Sequence, residues 1–194
     1  MTHASPVYAT LGGTPQVVFL TLSGLLGVAP GTGAVLWRHG FSPSATSTAA
    51  SPVVAGGVVY ASCAYAKGAW TARVTGSGGS FSVSQSNYTG ANSAYQNHWA
   101  TPVHHAGYLY GIVERSSRSL ACFNLSTRVN TWTTSRVGSG NPGYGSLIKV
   151  GGHLLILTEG GELVVAEPNP AAYTEVARFQ ALDGVAWNHP AFSN

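Results

Sequence analysis

The stretch SPVVAGGVVY, residues 51–60, reads as a hairpin: two short β-branched runs around a Gly-Gly turn. It recurs. Fifty residues on stands TPVHHAGYLY (101–110), and 45 further on stands SLIKVGGHLL (146–155), all three aligned without a gap. One column holds Ser51, Thr101 and Ser146, another Val53, Val103 and Ile148, another Gly57, Gly107 and Gly152. A fourth copy opens as SPVY at Ser5, with a longer turn through Gly12 and Gly13, and a fifth begins as HPAFSN at His189. The starts lie 46, 50, 45 and 43 residues apart.

A second strand pair follows each hairpin. LLGVAPGTGAVLW (25–37) lines up with LACFNLSTRVNTW (120–132), each strand, turn, strand, ending on tryptophan. The matching halves from Trp70 and from Glu162 are weaker and lack that tryptophan. Helical periodicity is absent, apart from a short turn suggested near NPAAYTEVA. Four strands every 43 to 50 residues is the arithmetic of a propeller blade. A β-sandwich also has short strands and frequent turns, but has no reason to repeat its sequence at one period. The expected fold is therefore all-β, a β-propeller of four-stranded antiparallel blades. About four blades are expected, with approximate units 5–50, 51–100, 101–145 and 146–188, and residues 189–194 as the first strand of a fifth. Trp37 and Trp132 are expected at blade contacts. Burying one such ring removes roughly 150–250 Å² from water, on the order of 5 kcal/mol as an upper bound.

The totals agree with such a chain. Of 194 residues, 44% are hydrophobic and 8% charged, which excludes the usual disordered class. The net charge of +3 reflects scarce acid, six Asp plus Glu, while the nine Lys and Arg are scattered. Nucleic acid is thus not expected as a partner. No apolar run is long enough for a transmembrane helix, and the opening MTHASPVYAT is not a signal peptide. Cys63 and Cys122 show no metal-ligand spacing; two buried thiols is the favoured reading and a disulfide between them the alternative. NYT at Asn87 and NLS at Asn124 match the glycosylation acceptor pattern, which matters in a eukaryotic secretory setting alone.

The recurring SPVVAGGVVYAS opening, the GVAPGTGAVLW half (27–37) and GSLIKVGGHLLILTEGGELVV (145–165) resemble the pyrroloquinoline-quinone-like (PQQ-like) β-propeller repeats. These occur in quinoprotein alcohol dehydrogenases and in the outer-membrane-protein assembly factor lipoprotein. The Thr-Gly of the family's turn is Thr32-Gly33 in the first unit and Thr127-Arg128 in the third, where the glycine is lost. The resemblance covers essentially the whole chain and implies the fold more than a function. It implies a bacterial, periplasmic or otherwise exported setting. Since quinoprotein propellers usually have eight blades, it also implies a fragment whose remaining blades come from a longer chain.

In the dehydrogenases PQQ and calcium sit on the axis, with carboxylate and amide ligands, an Asp base, a stacking Trp and an adjacent-cysteine disulfide. This chain has Asp183, five glutamates and no adjacent cysteines, so those positions do not carry over. Glu159 and Glu162 flank a Gly-Gly turn and read as a solvated hairpin tip, and the six acids show no evident glycosidase pair. The expected function is a non-catalytic scaffold or binding module, docking a protein or small ligand on the loop face or in the axial channel. No cofactor is expected in the chain itself. The alternative is part of a PQQ-dependent oxidoreductase, with PQQ and calcium held mostly outside this chain. A third reading is carbohydrate stacking on Trp70 or Trp99.

NHWATPVHH (97–105) holds three histidines. His104 shares its column with Tyr8, Val54 and Lys149, and His105 shares its own with Ala55 and Val150. Strand neighbours point to opposite faces, so His104 and His105 do not serve one metal. The first strand of a propeller blade lines the axial channel, which makes His104, His105 and Lys149 the candidates to line it. Polar side chains at a wet channel or blade seam is the favoured reading. His189, in the Ser/Thr column, is expected to cap a turn.

Overall fold

A computed structural model describes residues 2–42, 48–90, 95–114 and 117–193 of the chain. The described residues form sixteen strands in four antiparallel sheets, each built in simple sequence order. The first sheet is β1 (Val7–Leu11), β2 (Thr14–Thr21), β3 (Gly24–Val28) and β4 (Val35–Gly40). The second is β5 (Val53–Ala55), β6 (Val58–Cys63), β7 (Gly68–Ser77) and β8 (Ser80–Thr89). The third is β9 (Val103–His105), β10 (Tyr108–Val113), β11 (Ser119–Asn124) and β12 (Val129–Thr134). The fourth is β13 (Ser146–Val150), β14 (His153–Leu157), β15 (Glu162–Glu167) and β16 (Thr174–Gln180). The chain is all-β and of β-propeller type, one four-stranded meander per repeat. No helix among the described residues is long and apolar enough to cross a membrane.

The repeat columns are the hairpin registers. Val53 pairs with Tyr60, Val103 with Tyr110, and Ile148 with Leu155. Two-residue hairpin turns of type I′ need positive φ at both central residues. Gly56 and Gly57 meet this at φ +54° and +81°, and the third repeat meets it with Ala106 at +47° before Gly107 at +86°. A register shift breaks the pairing of the last two strands in every sheet, at Gly27/Val28, Arg73/Val74, Cys122/Phe123 and Val165/Ala166. Such bulges add local twist. Near NPAAYTEVA no helical turn forms; the chain bends and β16 begins at Thr174. Residues 189–193 hold no strand.

The chain divides into two compact units, Met1–Trp99 and Ala100–Asn194. In the first unit Leu11, Val18, Leu20, Leu25 and Trp37 of the first sheet pack on Val59, Ala61, Ala72 and Val74 of the second. In the second unit Tyr110, Ile112, Leu120 and Cys122 of the third sheet pack on Leu147, Leu154, Ile156, Val164 and Ala166 of the fourth. Buried positions alternate in β2, whereas β6, β10 and β11 are buried at consecutive positions.

Trp37 is buried, and its indole Nε1–H donates to Gln16 Oε1 at 2.6 Å. Gly27 makes room for it: a side chain there would run into the indole. Trp132 is half-buried, packs against the second unit's core, and donates from Nε1 to the Asn169 carbonyl at 2.9 Å. Cys63 and Cys122 are both buried and carry no disulfide.

Candidate functional site

His104 and His105 sit half-buried on β9, opposite Leu109 and Tyr108. The ring of His104 folds over its own hairpin, where Nε2 accepts the Gly107 N–H at 3.2 Å. Lys149, exposed on β13, does likewise, its Nζ donating to the Gly151 carbonyl at 2.7 Å. Each of these two polar residues of one column is thus bonded to its own turn. His98 lies outside the strands, beside Tyr65 and Trp99. Among the described residues no three His, Cys, Asp or Glu side chains converge on a metal-sized site.

Burial lowers the pKa of His39, of His104, where His105 adds to the effect, and of His189, where a hydrogen bond to the Leu147 backbone opposes it. The unfolded chain therefore takes up these protons first. The stability this contributes is complete above the ordinary value of 6.5 and is lost as pH falls from there through the lowered folded values. Urea unfolding is expected to show stability dropping from about pH 7.5 to about pH 5. The double variant His104→Asn, His189→Asn should flatten that slope, and an unchanged slope would contradict this account.

The acids have partners that the sequence does not announce. Glu159 accepts the Tyr144 N–H at 3.2 Å through Oε2 and the Trp187 indole N–H at 2.6 Å through Oε1. Glu162 Oε2 accepts the Ser139 N–H at 2.7 Å and its hydroxyl at 3.2 Å. Glu175 Oε2 accepts the Gly138 N–H at 3.1 Å and the Tyr173 hydroxyl at 2.8 Å. Arg178 lies 3.2 Å from Glu175 and 3.9 Å from Glu162. The reading of Glu159 and Glu162 as a solvated hairpin tip is therefore corrected. Gly138 and Gly143, both at positive φ and both too close to a carboxylate for any side chain, let the loop before β13 close on them. Calcium asks for six to eight oxygens. These carboxylates are occupied by backbone donors and Arg178, so they do not fit the calcium of a quinone site.

A different cluster stands at the β6–β7 turn. The Lys67 N–H bonds the Ala64 carbonyl at 3.3 Å, and the two central residues are Tyr65 at φ +54° and Ala66 at φ +57°. Neither is glycine or asparagine, and each costs about 1–2 kcal/mol in this conformation. The turn holds Tyr65 outward, 56% exposed. Its ring meets His98 edge-on at 4.9 Å, and His98 meets Trp99 edge-on at 4.5 Å.

The support beneath is polar and buried. Asn97 Oδ1 accepts the hydroxyls of Tyr60 at 3.0 Å and Ser62 at 3.1 Å, and the Asn97 N–H donates back to Ser62 Oγ at 3.1 Å. Gln96 Oε1 accepts the Gly68 N–H at 3.2 Å. Burial holds the Tyr60 phenol far above its ordinary pKa, so it stays a donor. The segment bearing His98 and Trp99 is thus pinned to β6 and to the end of the strained turn. Trp70, by contrast, is buried and stacked on Phe41 at 4.3 Å and 11°, so it is no stacking platform.

Because the turn is strained by its residues, Ala66→Gly is expected to stabilise the chain by about 1 kcal/mol. A raised urea midpoint checks this. A lowered midpoint would mean that Ala66 does not sit in the left-handed region.

Four repeats of one antiparallel meander, two of them sealed by tryptophan, define a β-propeller-type repeat chain with an aromatic cluster at one strand-end turn. No protein-family model matches the chain, and no curated protein matches it. Solved structures do. A "putative 6-phosphogluconolactonase" from Bacteroides uniformis is 12% identical with a TM-score of 0.57, over 93% of this chain and 57% of that one. BamB from Moraxella catarrhalis is 12% identical, TM-score 0.49, over 94% and 63%. Apo AztD from Citrobacter koseri is 11% identical, TM-score 0.49, over 92% and 47%. At such identities the first likeness bears on the fold alone. The chain spans between 47% and 63% of the length of these structures.

Proposed function

We propose that the chain is a non-catalytic binding module of PQQ-like β-propeller type, docking a small ligand or a protein side chain by a ring face on Tyr65, His98 and Trp99. One observation carries the reading: two non-glycine residues are held in left-handed geometry at a turn whose effect is to present Tyr65. Backbone strain of this kind clusters at ligand-contacting segments. Aromatic side chains give much contact area for little lost freedom. The glutamates at loop ends add support of another kind, since they tie loops and leave the rings to make contact.

The test is a titration of the whole chain against a panel of oligosaccharides and aromatic-tipped peptides, read by tryptophan fluorescence. Any ligand found should bind at least about tenfold more weakly to Tyr65→Asn, which suits the turn but removes the ring. It should lose binding again in Trp99→Ala. Ligands that bind both variants as well as the parent would place the site elsewhere.

A further inference from the structure

One position recurs from sheet to sheet with its chemistry changed. In the second, third and fourth sheets the connection between the second and third strands carries a side chain that reaches toward one aromatic column. That column stands two residues before the next opening, at Trp99, Tyr144 and Trp187 ahead of Thr101, Ser146 and His189. From the second sheet Tyr65 reaches Trp99 through His98. From the fourth, Glu159 accepts the Trp187 indole N–H. From the third, the connection supplies a cation: the guanidinium carbon of Arg118 lies 3.9 Å from the centre of the Tyr144 ring.

The backbone around this pair is tied down. Asn141 Nδ2 donates to the Arg118 carbonyl at 2.9 Å and to the Ser135 carbonyl at 3.2 Å, while Asn141 Oδ1 accepts the Gly143 N–H at 2.9 Å. Arg118 is half-buried, and its Nε is buried with no hydrogen-bond partner. Among the described residues Arg118 has no ion pair, whereas Arg178 lies 3.2 Å from Glu175. Glu159 does not serve Arg118, because its two oxygens take the Tyr144 N–H and the Trp187 indole. A guanidinium has five donors and no acceptor, so partial burial without an oxyanion is costly. Its two terminal nitrogens are the donors left to meet one.

We propose that Arg118, held over Tyr144, is a binding site for a carboxylate, taken end-on by the two terminal nitrogens, from a free organic acid or a peptide C-terminus. The planar fork of a guanidinium matches the two oxygens of a carboxylate. With Glu159 bonded to the same Tyr144, the site offers one cation and one anion. It therefore suits a single negative charge better than a phosphate monoester, which carries nearly two. The site lies in the second unit and does not rest on the ring cluster of the first.

Proton–nitrogen NMR of the whole chain tests this, following the Arg118 Nε–H and the Gly143 and Tyr144 amides. Benzoate should shift these signals saturably with a millimolar Kd, and uncharged benzamide should bind at least about tenfold more weakly. Acetyl-Ala-Phe with a free or an amidated C-terminus repeats the comparison for a peptide, and the tighter of the two acids identifies the source. Arg118→Gln should weaken benzoate at least about tenfold. Arg118→Lys, which keeps the charge and loses the fork, should fall between Arg118→Gln and the parent. Equal binding of each acid and its amide by the parent chain overturns the proposal without any variant. So do benzoate binding that survives Arg118→Gln, shifts that do not saturate up to about 50 mM, and phenyl phosphate binding more tightly than benzoate.

Discussion

Trp37→Ala is expected to destabilise the chain by about 3–5 kcal/mol, a large share of the roughly 5–15 kcal/mol that holds a domain folded. The ring is 4% exposed and fills the seam between the first and second sheets. Its removal opens a cavity lined by groups that the bulge at Gly27/Val28 holds in place. It also takes from the fully buried Gln16 the donor bonded to Oε1, leaving the amide its 3.3 Å bond to the Leu11 carbonyl. Trp37→Phe should cost less, because it keeps most of the volume and loses the hydrogen bond. Trp132→Ala should also cost less than Trp37→Ala, because Trp132 is half-buried and bonds a carbonyl near the surface. Urea unfolding followed by circular dichroism ranks the three variants. A Trp132 effect larger than that of Trp37 would defeat the seam argument.

The repeat was legible because each of its marks is local. A glycine at the hairpin turn, β-branched residues on either side and a tryptophan closing the second pair each follow from backbone geometry within a short span of chain. The registers Val53–Tyr60, Val103–Tyr110 and Ile148–Leu155 were therefore readable as columns. The parts that were not legible depend on distant partners or on a broken local rule. Tyr65-Ala66 is a poor sequence for a turn of positive φ, so nothing in it announces one. Glu159 and Glu162 look solvated until the folded loops bring Trp187 and Ser139 to them, 28 and 23 residues away in sequence. In NHWATPVHH the histidines drew attention, yet His104 bonds its own turn, while the residue that organises the neighbourhood is Asn97.

Asn97→Ala is therefore expected to cost about 2–3 kcal/mol although it removes no hydrophobic contact. The side chain is wholly buried, and its Oδ1 is an acceptor for two buried hydroxyls at once, those of Tyr60 and Ser62. Without it both hydroxyls lose that acceptor at a depth where replacement costs are high. Those bonds span 37 and 35 residues, so their loss also frees the segment carrying His98 and Trp99 from β6. Amide hydrogen exchange should accelerate at residues 96–99 and at the turn 64–67 more than in β13–β16, and any ligand of the ring cluster should weaken in parallel.

Asn97→Asp separates shape from charge. The aspartate keeps both acceptor geometries, but burial raises its folded pKa above the unfolded value of about 3.9. A carboxyl raised in this way favours the folded chain at low pH and loses that advantage as pH rises through its folded pKa. The deficit of Asn97→Asp against the parent should thus grow from about pH 5 to about pH 7.5, while that of Asn97→Ala should not depend on pH. Equal deficits for the two variants at both pH values would show that Asn97 acts by filling space rather than by accepting hydrogen bonds.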